Sequence, residues 1–132
     1  MTVAGLTISK LARAAGVNVE TIRYYQRIGL IEAPVKPAQG YRRYPAATVA
    51  RVRFIRRAQE LGFSLKEIAE LLSLNDGDCR SARAIAAQKQ ALIEQRLRDL
   101  TRMRDALAGL VEACLDSEAE GAPCALIQTL NQ

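Results

Sequence analysis

Residues 7–29 read TISKLARAAGVNVETIRYYQRIG, and this stretch decides the fold. Thr7 has the side chain of an N-cap, and Ile8, Leu11 and Ala12 recur at the spacing of one buried helical face, so a helix is predicted over Ile8 to Ala15. Gly16 supplies the left-handed turn that ends it. Asn18 is placed to cap a second helix running to about Ile28, closed by Gly29. Two short helices joined through a glycine turn form a helix-turn-helix pattern. Many helical hairpins share that pattern, so its meaning depends on the surrounding charge and on the downstream residues.

Beyond Gly29 the pattern changes. Leu30-Ile31, a Pro-, Gly- and Lys-bearing stretch from Ala33 to Gly40, and Tyr41-Arg42-Arg43-Tyr44 predict a small two-stranded wing. Alternation along the strand sets Arg42 and Tyr44 on one face, Tyr41 and Arg43 on the other. Pro45 is placed to open a third helix, where its missing N–H costs nothing. Val49, Val52, Ile55 and Leu61 supply that helix's buried stripe, with Phe54 beside it. Leu61-Gly62-Phe63 breaks the chain, and Ser64 with Glu67 makes a capping box for a fourth helix, Leu65 to Leu72. Asn75-Asp76-Gly77-Asp78 is a turn cluster.

From about Cys79 to Cys114 there is no proline, and Gly109 alone interrupts the helix formers. Ile93, Leu100, Leu107 and Cys114 fall seven apart, with Leu97, Met103, Leu110 and Val111 filling in between them. That is a coiled-coil seam sustained over three heptads. One helix cannot bury such a seam, and a second copy of the chain is the simplest partner. Leu115 to Cys124 reads as a polar loop, and Leu126, Ile127 and Leu130 as a short closing helix.

The 132 residues are 49% hydrophobic and 25% charged, which leaves room for one compact domain and an appendage. No apolar run nears the roughly 18 residues of a membrane span. The start, MTVAGLTISK, shows no basic segment leading into a greasy one, so a cytoplasmic protein without membrane contact is expected. Histidine is absent, which removes the commonest general base and argues against an enzyme. A thiol enzyme would likewise lack a histidine partner for its nucleophile. Residues 1–63 carry eleven Lys/Arg against three Asp/Glu, a net of +8, while the remainder nets −3. A basic half joined to a mildly acidic one points to a polyanion-binding module attached to something with another task. The plain alternative is a solvated basic face.

Double-stranded DNA is the leading partner. The second helix carries Asn18, Thr21, Arg23, Tyr24, Tyr25 and Arg27, dense in donors and aromatics, and Arg42, Arg43 and Tyr44 on the wing suit flanking contacts. Either Tyr24 or Tyr25 could equally be a core aromatic. Arg51, Arg53, Arg56 and Arg57 cannot all share one helix face, so some of them are solvated.

Three cysteines in a reducing cytosol are expected to be free, buried or metal-bound. Cys79 and Cys114 lie 35 residues apart on the predicted long helix, a rise of about 50 Å, too far to share one ion within a chain. If two such helices pair antiparallel, Cys79 of one falls beside Cys114 of the other, and the loop returns Cys124 to the same place. Three thiolates without histidine suit a soft, thiophilic ion better than structural zinc, which normally wants four protein ligands.

GVNVETIRYYQRIGLIEAP (residues 16–34), YRRY (41–44) and VRFIRRAQELGFSLKEIAELL (52–72) resemble the MerR-type winged-helix regulators, and the placement of Cys79, Cys114 and Cys124 resembles the family's mercury-responsive, metal-sensing branch. The resemblance implies a mainly α chain. It would comprise a winged helix-turn-helix DNA-binding domain (1–75), a long antiparallel coiled-coil dimerisation helix (76–114), and a metal-binding loop with a short C-terminal helix (115–132). It also implies a homodimer on a promoter operator, working with RNA polymerase. Such a dimer represses without metal and, with Hg(II) on Cys79 of one subunit and Cys114 and Cys124 of the other, distorts the DNA to activate resistance genes. Pb(II), Cd(II) or Zn(II) as inducer, or a cytosolic thiolate metal buffer, are the alternatives. The family commonly has proline after the last cysteine; here Pro123 precedes Cys124 and Ala125 follows.

Overall fold

The computed structural model describes residues 5–132, so residues 1–4, part of the stretch without a leader pattern, lie outside it. The chain divides into two compact units, the first reaching Ile85 and the second running Ala86–Gln132. The division therefore falls inside the long helix rather than at the turn before it.

In the first unit β1 (Gly5–Leu6) leads into α1 (Ile8–Ala15) and α2 (Val19–Arg27); β2 (Tyr44–Pro45), α3 (Ala47–Glu60) and α4 (Leu65–Leu72) complete it. The local signals act as read. Thr7 Oγ1 accepts the Lys10 amide at 3.3 Å, and Asn18 Oδ1 accepts the Thr21 amide at 2.8 Å; each such cap is worth about 1 kcal/mol. Gly16 turns the chain at φ 73°, and Val17 N–H closes back on the Ala12 carbonyl at 2.9 Å. Ser64 and Glu67 form the reciprocal capping box.

The core gathers one stripe from each helix: Leu11 and Ala12, Ile22 and Tyr25, Val52, Ile55 and Ala58, then Ile68, with Leu30, Ile31 and Tyr44 closing it. Ala58 takes the place expected for Leu61, which is 67% exposed because it already belongs to the turn beyond α3. Two of the α3 arginines are structural latches. Arg51 Nε donates to the Leu30 carbonyl at 2.8 Å, and an Arg53 terminal nitrogen donates to the Ala14 carbonyl at 2.7 Å. They flank the fully buried Val52, one at each margin of the stripe, and so tie α3 to the chain just past α2 and to the end of α1.

The two-stranded element is built differently from the sequence expectation. Among the described residues no strand lies between Ile31 and Arg43; β2 pairs instead with β1, antiparallel, Gly5 opposite Pro45 and Leu6 opposite Tyr44. Pro34 and Pro37 remove ladder donors from the outgoing arm, and the returning arm takes Gly5–Leu6 as its partner. Pro45 therefore ends a strand rather than opening α3, which starts two residues later, at Ala47.

The second unit holds most of α5 (Cys79–Glu120) and α6 (Ala125–Leu130). The segment after Cys114, expected as a loop, stays helical to Glu120, because Glu118, Ala119 and Glu120 are competent helix formers and the first residue suited to a stop is Gly121, at φ 68°. Among the described residues no helix is long and apolar enough to cross a membrane.

Gly5 marks the tightest approach between the terminal strand and the wing. A Cβ there would lie 2.5 Å from the Arg43 Cβ, a clash that only a shift of the β2 chain relieves. We predict that Gly5→Ala destabilises the first unit by about 1–3 kcal/mol, read as a lower midpoint in thermal or urea unfolding. An unchanged midpoint would show that β1 and β2 move apart freely.

Candidate metal centre and nucleic-acid interface

The basic unit presents an open cleft of about 650 Å³ where three elements meet. The first turn of α1 contributes Ile8 and Ser9, α2 contributes Arg23, and the loop and wing contribute Lys36, Tyr41 and Arg42. Three cations face a helix N-terminus whose amides carry partial positive charge, an arrangement suited to phosphate oxygens. Sequence reasoning did not single out Lys36, because a basic residue inside an irregular Pro/Gly loop gives no periodic signal.

The α2 surface beside this cleft is ordered by its own side chains. Asn18 Oδ1 also accepts the Thr21 hydroxyl at 2.8 Å, so Asn18 and Thr21 are fixed together at the helix start. Arg23 lies 2.9 Å from Glu20, an exposed pair of small energetic weight. The Arg27 guanidinium sits 5.5 Å above the Tyr24 ring, a cation–π contact that holds both side chains out from α2. Arg42 and Arg43 are exposed. Tyr41, Arg42 and Tyr44 share the large cleft, while Arg43 and Pro45 line a separate one; Tyr41 thus leaves the face that strict alternation gave it with Arg43, because the strand covers only Tyr44–Pro45.

Tyr25 and Tyr44, both expected as DNA-facing groups, are core residues, each only 2% exposed. The Tyr25 hydroxyl donates to Gln59 Oε1 at 2.6 Å, and the Tyr44 hydroxyl donates to Gln26 Oε1. Burial pushes both phenols above their ordinary range, so both stay protonated donors. The correction has a simple cause. Tyr25 lies three residues after the fully buried Ile22, on the inward face of α2, whereas Tyr24 is turned outward and 40% exposed.

In the acidic unit the two later cysteines meet. Cys114 Sγ and Cys124 Sγ are 3.5 Å apart and half-buried. The reversal that brings them together is built at the end of α5. Gly121 N–H bonds the Glu118 carbonyl at 3.2 Å and Ala122 N–H the Ser117 carbonyl at 2.9 Å, the paired bonds of a Schellman stop. Cys124 then sits at the N-cap of α6. The backbone amide of Ile127 holds the Cys124 thiol below its ordinary value, helped by the thiol of Cys114. The same sulfur contact, seen from the other side, raises Cys114. The contact thus favours ionisation of Cys124 ahead of Cys114. Cys79 is exposed, at the first residue of α5. Among the described residues, no three Cys, His, Asp or Glu side chains of the single chain gather into a metal site. The donor chemistry is two adjacent sulfurs with no imidazole, which fits a soft ion and not a hard one.

Comparison with known proteins identifies the family. Residues 6–75 match the MerR HTH family regulatory protein model, and residues 49–110 match the model described as MerR, DNA binding. The chain is 51% identical to the mercuric resistance operon regulatory protein of Serratia marcescens, over 95% of this chain and 87% of that protein. Among solved structures it is similar to the dual function transcriptional regulator MerR of Bacillus megaterium in complex with mercury(II), at 38% identity and TM-score 0.68, covering 96% of this chain and all of that one (100%). It is also similar to a lead(II)-bound transcription regulator of Ralstonia metallidurans, at 26% identity and TM-score 0.72, over 83% of this chain and 87% of that one. With a helix-turn-helix in its basic half and relatives that align along nearly its whole length, the chain belongs to the MerR HTH family of regulatory proteins.

Proposed function

We propose that this chain is a mercury(II)-responsive transcription regulator that acts as a homodimer on promoter DNA in the cytoplasm. The observation that carries the reading is the Cys114–Cys124 sulfur pair at 3.5 Å. It is two-thirds of a three-thiolate site, in a chain half identical to mercuric resistance operon regulators. Cys79, exposed at the start of α5, would supply the third thiolate from a second chain.

That second chain is called for by the seam. Leu97, Leu100, Met103, Leu107 and Val111 are each more than half exposed on α5; burying such a residue contributes roughly 1.5–3 kcal/mol, and an antiparallel copy would cover the stripe. When bound, Hg(II) supplies thiolate affinity strong enough to favour the conformation in which three sulfurs converge. The residues of this chain do the rest. Cys124 offers a thiolate, Cys114 gives up a proton to offer a second, and α5 presents Cys79 to the partner. On the DNA side, Arg23, Lys36 and Arg42 would hold phosphates, while Asn18, Thr21 and Tyr24 face the duplex from α2. The metal-free dimer would repress. The loaded one would distort the operator so that RNA polymerase engages it, a deformation of a few kcal/mol that differential ligand affinity can supply.

The test is a reporter driven by the operator and exposed to Hg, Pb, Cd and Zn salts. Mercury should induce at the lowest concentration, and Cys79→Ala should abolish induction while operator binding persists, because the ligand lies outside the basic cleft. Full induction by Cys79→Ala would remove that cysteine from the site, and a stronger response to lead would move this chain beside the lead-binding relative. On the DNA side, Arg23→Ala and Arg42→Ala should each weaken operator binding and lower the slope of log K against log salt by about 1. A slope that stays at the parent value takes that arginine off the phosphates.

A further inference from the structure

Ser117 is buried, at 8% exposure, on a helix whose other described residues all retain more access to water. It lies three residues after Cys114, on the same side of α5. Its hydroxyl does two things at once: it donates to the Ala113 carbonyl at 3.0 Å and accepts the backbone amide of Ala125 at 3.2 Å. Its carbonyl accepts the Ala122 amide at 2.9 Å. Apart from the thiol pair, the hydrogen bonds that tie residues 122–125 onto α5 thus end on Ser117. Ala125 is the residue next to Cys124, so the amide pinned by the hydroxyl is the one that follows the cysteine's own carbonyl.

We propose that Ser117 is the positioning residue of the thiol pair. Its hydroxyl sets where the returning chain meets α5 and so fixes Cys124 Sγ against Cys114 Sγ. Ser117 is not a ligand in this role. Its donor and one acceptor position are already used within the protein, and a neutral hydroxyl is a poor partner for a soft ion. Removing the hydroxyl leaves the Ala125 N–H without its acceptor, and the hairpin is then held only at Gly121 and Ala122, a loop farther from the sulfurs. The importance of the pair for sensing rests on the proposed metal response; the geometric claim does not, and the test uses no metal.

The full chain, reduced and metal-free, is equilibrated with mixtures of glutathione and glutathione disulfide. In the reaction monitored, Cys114 and Cys124 form one S–S bond, and the glutathione disulfide takes up the two protons and two electrons to leave as two thiols. The cross-linked peptide, quantified by mass spectrometry, reports how often the two sulfurs meet. Ser117→Ala should lower the equilibrium constant about five- to tenfold, which a two-electron couple reads as roughly 20–30 mV toward easier reduction. Ser117→Thr and Ser117→Val are nearly the same shape and differ in the hydroxyl. Thr should stay within about twofold of the parent, and Val should fall with Ala. This contrast holds whether or not the Ala variant packs well. An unchanged constant in Ala and Val, or an equal loss in Thr and Val, overturns the assignment. Failure of mercury induction would leave this result untouched, so the two readings fail separately.

Discussion

An apolar seam that a single chain leaves open to water is the constraint on which this molecule turns. α5 runs 42 residues, and of its residues Ser117 alone is buried. Leu97, Leu100, Met103, Leu107 and Val111 stand more than half exposed along it, in an apolar stripe that continues as far as Leu115. Contiguous apolar surface of that length marks an interface. In the proposed antiparallel pair, the same contact that covers the seam delivers a cysteine from the start of one helix to the end of the other. Dimerisation and ligand assembly then become a single event.

The two compact units divide the chemistry cleanly. The first concentrates positive charge over a small, well-capped core in which tyrosine hydroxyls are satisfied by glutamines and two arginines of α3 bind the carbonyls of Ala14 in α1 and of Leu30 beyond α2. Three further cations, Arg23, Lys36 and Arg42, border an open cleft, where phosphate can reach them. The second unit has little core of its own, and its C-terminal hairpin sets two sulfurs side by side. A sulfur pair brought together in advance lowers the ordering cost of binding an ion, leaving one further sulfur to complete the set in the proposed site.

Much of this was legible in the residues. Thr7, Asn18 and Ser64 announced three helix starts, Gly16 a turn, and the spacing from Ile93 to Cys114 a seam, because caps and periodicity are local physics. Cys124 was expected beside Cys114 through a returning loop; the two sulfurs do lie together, but the intervening segment is mostly helix and the return is made only after Glu120. What escaped the sequence was decided by tertiary contact. Tyr25 and Tyr44 looked like recognition groups until packing turned them inward. The strand that pairs with Tyr44–Pro45 came from Gly5–Leu6, across the whole helix-turn-helix. Arg51 and Arg53 could have been found by noticing that they bracket a buried valine. Ser117 gave no signal, since a lone serine in a helix becomes meaningful only once the chain folds back onto it.

The shared-thiolate arrangement is tested most directly by a mixed dimer, in which a Cys79→Ala chain is paired with a Cys114→Ala/Cys124→Ala chain and isolated through two different tags. The mixed dimer contains one complete set of three sulfurs only if the sets are built across subunits. Measured by metal analysis after dialysis against a competing thiol, it should retain one mercury ion per dimer, while neither parent homodimer retains any. A mixed dimer that holds no more mercury than its parents would contradict the account.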